Sequence, residues 1–306
     1  MIFDAHCDVL YRLQNEDGRQ FEDEHSLHVT YSQLKKAGSR VQGFAIFLSP
    51  LLPPSERFRA ALEQVNIFYE KIIKPHADIK LVTSKKELLR LNKNEIGAML
   101  TLEGCEAIEE DPLKLNILYQ LGVRSVGLTW NRANALADGV MEPRGAGLTA
   151  FGKKIVKKLN EWRMWTDVSH LSERAFWDVI ERADYPIASH SNCYRLCPHA
   201  RNLTDEQIKA LISKGGVIGL TFVPFFVKKA GSVSPSDVLK HVEHLCELGG
   251  EYHLGFGSDF DGIDETIPGL NSYRNYEQWG ELLSKHYSAK QTARFLFYNF
   301  ANRFPN

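Results

Sequence analysis

Eight short apolar runs recur along this chain, most of them followed by a stretch whose apolar residues fall at helical spacing. The runs are 1–3, 41–48, 96–102, 123–128, 165–168, 187–189, 217–221 and 254–257. Strands covered on both faces read as continuous apolar runs, and consecutive parallel strands need a crossover that is usually a helix. Helical spacing is clear over 56–73, where Phe58, Leu62, Val65, Phe68, Tyr69 and Ile72 recur, and it returns over 113–121, 151–162, 173–182, 205–213 and 235–248. Stretches 275–284 and 289–303 read as closing helices. The pattern predicts an α/β fold, a (β/α)8 TIM-type barrel. An open doubly wound sheet is disfavoured because no G-x-G-x-x-G follows the first run. No linker or low-complexity tract interrupts the alternation, so residues 1–306 are expected to form one domain. Residues 15–33 read as a polar connection. The long loops 131–149 and 261–273 are expected to roof whatever site the barrel carries.

Composition narrows the class of partner. Lys and Arg number 37 against 38 Asp and Glu, a net charge of -1, which leaves no basic surplus for nucleic acid or an anionic membrane. No run approaches the roughly 18 apolar residues of a membrane span, and no signal peptide precedes the first strand. A cytoplasmic location and a small-molecule partner are the expectations. The cysteines Cys7, Cys105, Cys193, Cys197 and Cys246 are odd in number, so they read as thiols and not as a disulfide framework.

In a barrel of this type the chemistry sits where strands end. The first run leads into Asp4-Ala5-His6-Cys7-Asp8. Residues two apart on a strand share a face, so Asp4, His6 and Asp8 are expected to point together. Run three ends at Glu103, run five leads to His170, run six to His190, and run eight to Asp259 and Asp261. Imidazole and carboxylate both suit Zn2+, and so many donors exceed what one tetrahedral ion requires. Two ions about 3.5–4 Å apart, with Glu103 as bridging carboxylate and a water or hydroxide between them, would use the set.

The stretches DAHCD at 4–8, LEG at 102–104, DVSHLS at 167–172, SHSN at 189–192, RN at 201–202 and GFGSDFDG at 255–262 resemble the membrane (renal-type) dipeptidase family. That family consists of binuclear zinc hydrolases on a (β/α)8 barrel within the metal-dependent amidohydrolase superfamily. The resemblance implies His6 and Asp8 on one zinc, His170 and His190 on the other, and Glu103 between them. It implies that Asp259 handles protons, that Arg201 and Asn202 help bind substrate, and that homodimers occur. The expected partner is a small dipeptide with a free C-terminal carboxylate, including one ending in a D-residue. Zinc-bound water is available as hydroxide near neutral pH, Asp259 can pass its proton to the departing amine, and the Arg201 fork matches a carboxylate.

One position departs from the resemblance. The family commonly carries a substrate-contacting His after the Leu-Thr that ends strand four. Here Leu128-Thr129 is followed by Trp130 and Asn131. Asn131 or Arg132 is the expected replacement donor. The substitution motivates a second reading, an amidohydrolase acting on another amide or lactam such as an N-acyl amino acid. A third reading is a catalytically silent, metal-stabilised interaction protein, against which Asp259 and Arg201 argue, because a structural site needs no proton carrier.

Other signals are weaker. His241 and His244 lack the Glu of H-E-x-x-H and read as a solvated helix face. Cys193 and Cys197 have no second Cys pair to complete a zinc site. The 138–152 loop lacks the Gly-Lys-Ser/Thr ending of a P-loop. Phe222, Phe225 and Phe226, after the seventh run, could wall a substrate pocket, with core packing the preferred reading.

Overall fold

The computed structural model describes residues 1–16 and 18–304; residue 17 and residues 305–306 at the end of the expected domain lie outside the described residues. Nine strands form one parallel sheet: β1 Ile2–Asp4, β2 Ser39–Phe47, β3 Ile79–Leu81, β4 Ile96–Glu103, β5 Val123–Gly127, β6 Trp165–Asp167, β7 Pro186–Ile187, β8 Ile218–Leu220 and β9 Leu254–Phe256. Their order is β7-β6-β5-β4-β2-β1-β9-β8, and a parallel bridge between Ala188 and Ile218 joins β7 to β8. Eight strands thus close the ring of a (β/α)8 barrel. The ninth, β3, pairs with the first half of β4, from Ile96 to Ala98, while β5 takes the second half from Leu100 onward. It stands outside the eight expected runs because its middle residue, Lys80, is exposed, so the strand is not a continuous apolar run.

Local chemistry sets the helix boundaries. Thr149, Ser172 and Thr204 each accept a backbone N–H three residues on, at the starts of helices Ala150–Glu161, Glu173–Arg182 and Asp205–Ser213. In Glu173–Arg182, Ala175, Phe176, Val179 and Ile180 form the buried stripe, which is the helical spacing seen in the sequence. Two helices arise where a polar connection was expected to begin and end, at Val9–Asn15 and Tyr31–Ala37. Their buried residues Val9, Leu10, Leu13 and Leu34 are too few for a strong period. No helix among the described residues is long and apolar enough to cross a membrane.

Two apolar layers hold the barrel. The larger one lies between strands and helices. The smaller gathers Phe3, Val41, Trp165, Ile187 and Val217 with Phe300 and Phe304 from the end of the chain. The strand residues among them precede the polar residues at the strand ends, and with the chain's last aromatic rings they plug the end of the barrel away from those polar residues. Phe3 is fully buried, with ring centroids 5.2 Å from Phe300, 6.1 Å from Phe304 and 6.2 Å from Trp165. Phe3→Ala is expected to lower unfolding free energy by about 3–5 kcal/mol in denaturant titration, with the slope unchanged. A loss under about 1 kcal/mol would show that Phe3 is not part of the plug.

Candidate active site

At the opposite end, the termini of β1, β4, β6, β7 and β9 bring six of the expected residues together: His6, Asp8, Glu103, His170, His190 and Asp259. Glu103 is the last residue of β4 and stands in register with Phe47 of β2 and Gly127 of β5. Its Oε2 lies 3.6 Å from His6 Nε2. Its Oε1 lies 2.9 Å from His170 Nε2 and 3.5 Å from His190 Nε2. Asp8 Oδ2 and Asp259 Oδ1 complete the surroundings of His6 Nε2 at 3.2 and 3.8 Å. His6, Glu103 and His190 form one group able to hold a metal ion, and His6, Asp8 and Asp259 form another. Gly262 permits this crowding: a Cβ there would lie 2.3 Å from Asp8 Oδ2 and 2.6 Å from Asp259 Oδ1.

Two hydrogen-bond relays fix the imidazoles. Asp167 accepts the hydroxyl of Ser189, so Ser189 Oγ accepts in turn from His190 Nδ1 at 2.7 Å. Asp167 Oδ1 also takes the Ser169 and Ser189 backbone N–H groups at 3.0 and 2.9 Å. His170 Nδ1 lies 2.8 Å from Asn131 Oδ1, which is an acceptor. Both rings therefore carry their proton on Nδ1 and present an Nε2 lone pair to the cavity. Those two lone pairs are 2.9 Å apart. Burial, with Arg201 and His6 nearby, drives both imidazoles well below their ordinary pKa, so protonation does not relieve the repulsion. A cation between them does.

The carboxylates make the same demand. Burial, with Asp8 adjacent, holds Glu103 well above the usual carboxylate range. Burial raises Asp259 to about 7, with Asp8 adding to it. Burial alone would lower His6, but Glu103 and Asp8 hold it up at about 10. Asp8 Oδ1 is buried with no hydrogen-bond partner among the described residues. A buried cluster of acidic groups and imidazoles fits metal ions, which neutral imidazole and carboxylate donors suit.

Backbone strain gathers at the same mouth. His170, Asp259 and Asp261 have φ of 71°, 65° and 68°, in the left-handed region that costs non-glycine residues about 1–3 kcal/mol. The loop after β5 is held down on His170 by the Val140 N–H to His170 carbonyl bond of 2.7 Å, and it is braced by Asp138, which takes the Arg144 guanidinium and the Ala146 N–H.

Some expected residues are placed elsewhere. Strand β1 ends at Asp4, and the alternation does not carry past it: Asp4 accepts from Ser258 N–H at 2.8 Å and Ser258 Oγ at 2.6 Å, away from His6 Nε2. Asp261 turns its carboxylate to the backbone N–H groups of His28 and Val29, at 2.8 and 3.0 Å, and so anchors the loop before Tyr31. Asn202 spends its amide on Cys197 O, Phe226 O and Asn192 N–H, one step behind Arg201. Asn131 lines the cavity and orients His170. His241 is not on a solvated face. It is buried, accepting the Cys193 N–H on Nδ1 and donating from Nε2 to Val227 O, and burial lowers it to about 4. Of the three phenylalanines, Phe222 is core, whereas Phe225 and Phe226 line the cavity.

That cavity, about 510 Å³, opens onto Glu103, Asp8, Asp259 and His170. Arg201 lies in its wall, 5% exposed, with Nη2 3.3 Å from His190 O and the guanidinium 5.5 Å over the Phe226 ring. Burial lowers the guanidinium to about 10, against the pull of Asp259 and Glu103. Its buried Nε has no partner among the described residues.

A family model described as membrane dipeptidase, peptidase family M19, matches residues 1–304. The chain belongs to this family. A Schizosaccharomyces pombe protein described as an uncharacterised dipeptidase is 30% identical to this M19 member over 300 residues, 90% of this chain and 72% of that one. A Klebsiella pneumoniae protein described as an uncharacterised protein in the pqqA 5' region is 36% identical over 227 residues, 70% of this chain and 83% of its own. Among solved structures, dipeptidase AC, an M19 metallopeptidase, superposes with TM-score 0.91 at 26% identity, covering 99% of this chain and 97% of that one. A metallopeptidase from Rhodobacter sphaeroides, bound to a phosphinate mimic of L-Ala-D-Ala, gives 0.92 at 25% identity over the same shares. This chain is therefore a metallo-dipeptidase by family, on the barrel that its sequence predicts.

The Asp167–Ser189–His190 relay was not legible as a site in the sequence, because Asp and Ser near strand ends are common. Asp167→Asn is expected to weaken metal binding by this M19 dipeptidase about 10–100-fold, measured by competition with a chelating dye, without loss of helix signal. Unchanged affinity would contradict the relay.

Proposed function

We propose that residues 1–306 act as one domain that hydrolyses dipeptides with a free C-terminal carboxylate, at a centre of two zinc ions. His6 and Asp8 would hold one ion, His170 and His190 the other, with Glu103 shared between them. The observation that carries this reading is the division of Glu103: Oε2 faces His6, and Oε1 faces His170 and His190. When bound, zinc supplies a Lewis acid for a carbonyl oxygen and lowers the pKa of water toward neutrality.

The chain's own residues supply the rest. Asp259 lies beside Asp8 and His6 at the cavity floor, placed to take a proton from the attacking water and return it to the departing amine nitrogen. Arg201 offers a planar fork inside the cavity, and a substrate carboxylate there would pair a guanidinium whose buried Nε otherwise has none. Asn202 braces the Arg201 loop. The L-Ala-D-Ala mimic held by the Rhodobacter sphaeroides relative supports including dipeptides that end in a D-residue. Five free thiols accord with a reducing compartment such as the cytoplasm.

Trp130 in the cavity wall favours keeping a second reading, an amidohydrolase of N-acyl amino acids. The test is zinc content per chain together with hydrolysis of L,L- and L,D-dipeptides, N-acyl amino acids and a β-lactam, with and without chelator. About two zincs and chelator-sensitive dipeptide cleavage are expected. Cleavage of N-acyl amino acids alone would select the second reading. His190→Ala is expected to lose metal. Arg201→Ala is expected to keep metal and to raise KM roughly 10–100-fold with a smaller change in kcat. Equal metal loss in both variants would contradict the division of roles.

A further inference from the structure

The barrel ring runs β1, β2, β4, β5, β6, β7, β8, β9, so β2 and β7 stand across the mouth from each other. Arg201 belongs to the β7 side, tied to His190 O. On the far side, Phe47 ends β2, and Trp130 follows β5, two strands round the ring from β7, so that the two rings flank Glu103. Their rings meet edge to face, with centroids 5.2 Å apart. Both line the cavity beside Met141, and both remain half-buried, with aromatic surface open to it. The Trp130 ring centroid is 6.1 Å from that of His170.

The wall is also held in place. Glu106 Oε1 accepts the Trp130 backbone N–H at 3.3 Å and Asn134 Nδ2 at 3.1 Å, while Asn134 Nδ2 also reaches Leu128 O at 2.8 Å. A rigid aromatic face beside a polar floor is how small-molecule sites combine affinity with orientation.

We infer that Trp130, with Phe47, is a specificity-determining surface that selects dipeptides whose amino-terminal residue carries a large apolar or aromatic side chain. The inference rests on the dipeptidase reading with Arg201 at the C-terminal carboxylate. With that end docked at β7 and the scissile carbonyl over Glu103, the amino-terminal side chain is directed across the mouth toward Phe47 on β2, along the Trp130 ring that packs against it. A glycyl residue leaves the wall uncovered, whereas a large apolar side chain covers it. Apolar pockets discriminate by the area they cover, and a few missing carbons are worth tenfold or more in kcat/KM.

The test is kcat/KM for Phe-Ala, Leu-Ala, Ala-Ala and Gly-Ala on zinc-replete wild type, Trp130→Ala and Trp130→Phe, with zinc content measured on each. Wild type is expected to favour Phe-Ala over Gly-Ala by about tenfold or more. Trp130→Ala is expected to cut that ratio by about tenfold, and Trp130→Phe to retain most of it. Should Trp130→Ala lose zinc or fail to fold, Phe47→Ala reads the same ratio from the other ring. Similar rates for all four dipeptides, or a ratio that neither alanine variant moves, would overturn the selection and leave the dipeptidase reading standing. Cleavage of none of them by protein with full zinc would overturn both.

Discussion

A buried carboxylate, Glu103, sits at the mouth of the barrel with an imidazole group on each side of its two oxygens, and much of the site's arrangement depends on balancing that charge. Asp8 and Asp259 add two more acidic groups within reach of His6, while His170 and His190 turn lone pairs toward each other at 2.9 Å. Such a set is unfavourable as it stands, since buried carboxylates repel and facing lone pairs have no donor between them. Cations resolve both problems at once. Reading the cluster as a metal centre therefore follows from electrostatics as well as from family membership.

The barrel makes this constellation affordable by separating tasks between its two ends. At the strand starts, Phe3, Trp165, Phe300 and Phe304 fill the interior with aromatic rings. At the strand ends, polar residues on several different strands converge, and relays through Asp167, Ser189 and Asn131 hold the imidazoles in one tautomer. The strain at His170 and Asp259 is confined to that end and is offset by the packing beneath. Within the ring, strands of two or three residues suffice, because the ring is closed and each of its strands has a neighbour on both sides.

The fold was legible because each barrel strand is covered on both faces and so leaves an apolar run, however short its ladder. What escaped is β3, whose exposed Lys80 interrupts any apolar run, and the helices at Val9–Asn15 and Tyr31–Ala37, which are too brief to show a period. The residues brought together at the mouth were legible because His, Asp and Glu directly after apolar runs are conspicuous. Neighbouring acids were not separable by spacing alone: Asp259 and Asp261 are two residues apart and share the same backbone region, yet one faces His6 and the other ties down His28 and Val29. His241 showed the opposite limit, since a helix position that looks solvated in sequence is buried once the Cys193 and Val227 segments fold over it.

The measurement that tests the central claim most directly is X-ray absorption fine structure at the zinc edge of the fully loaded protein. Two ions sharing Glu103 predict a metal–metal vector at about 3.5–4 Å, with nitrogen and oxygen neighbours only. That vector should vanish in Glu103→Ala. A single isolated zinc with no second metal at that distance, in protein that cleaves dipeptides at full rate, would contradict the account.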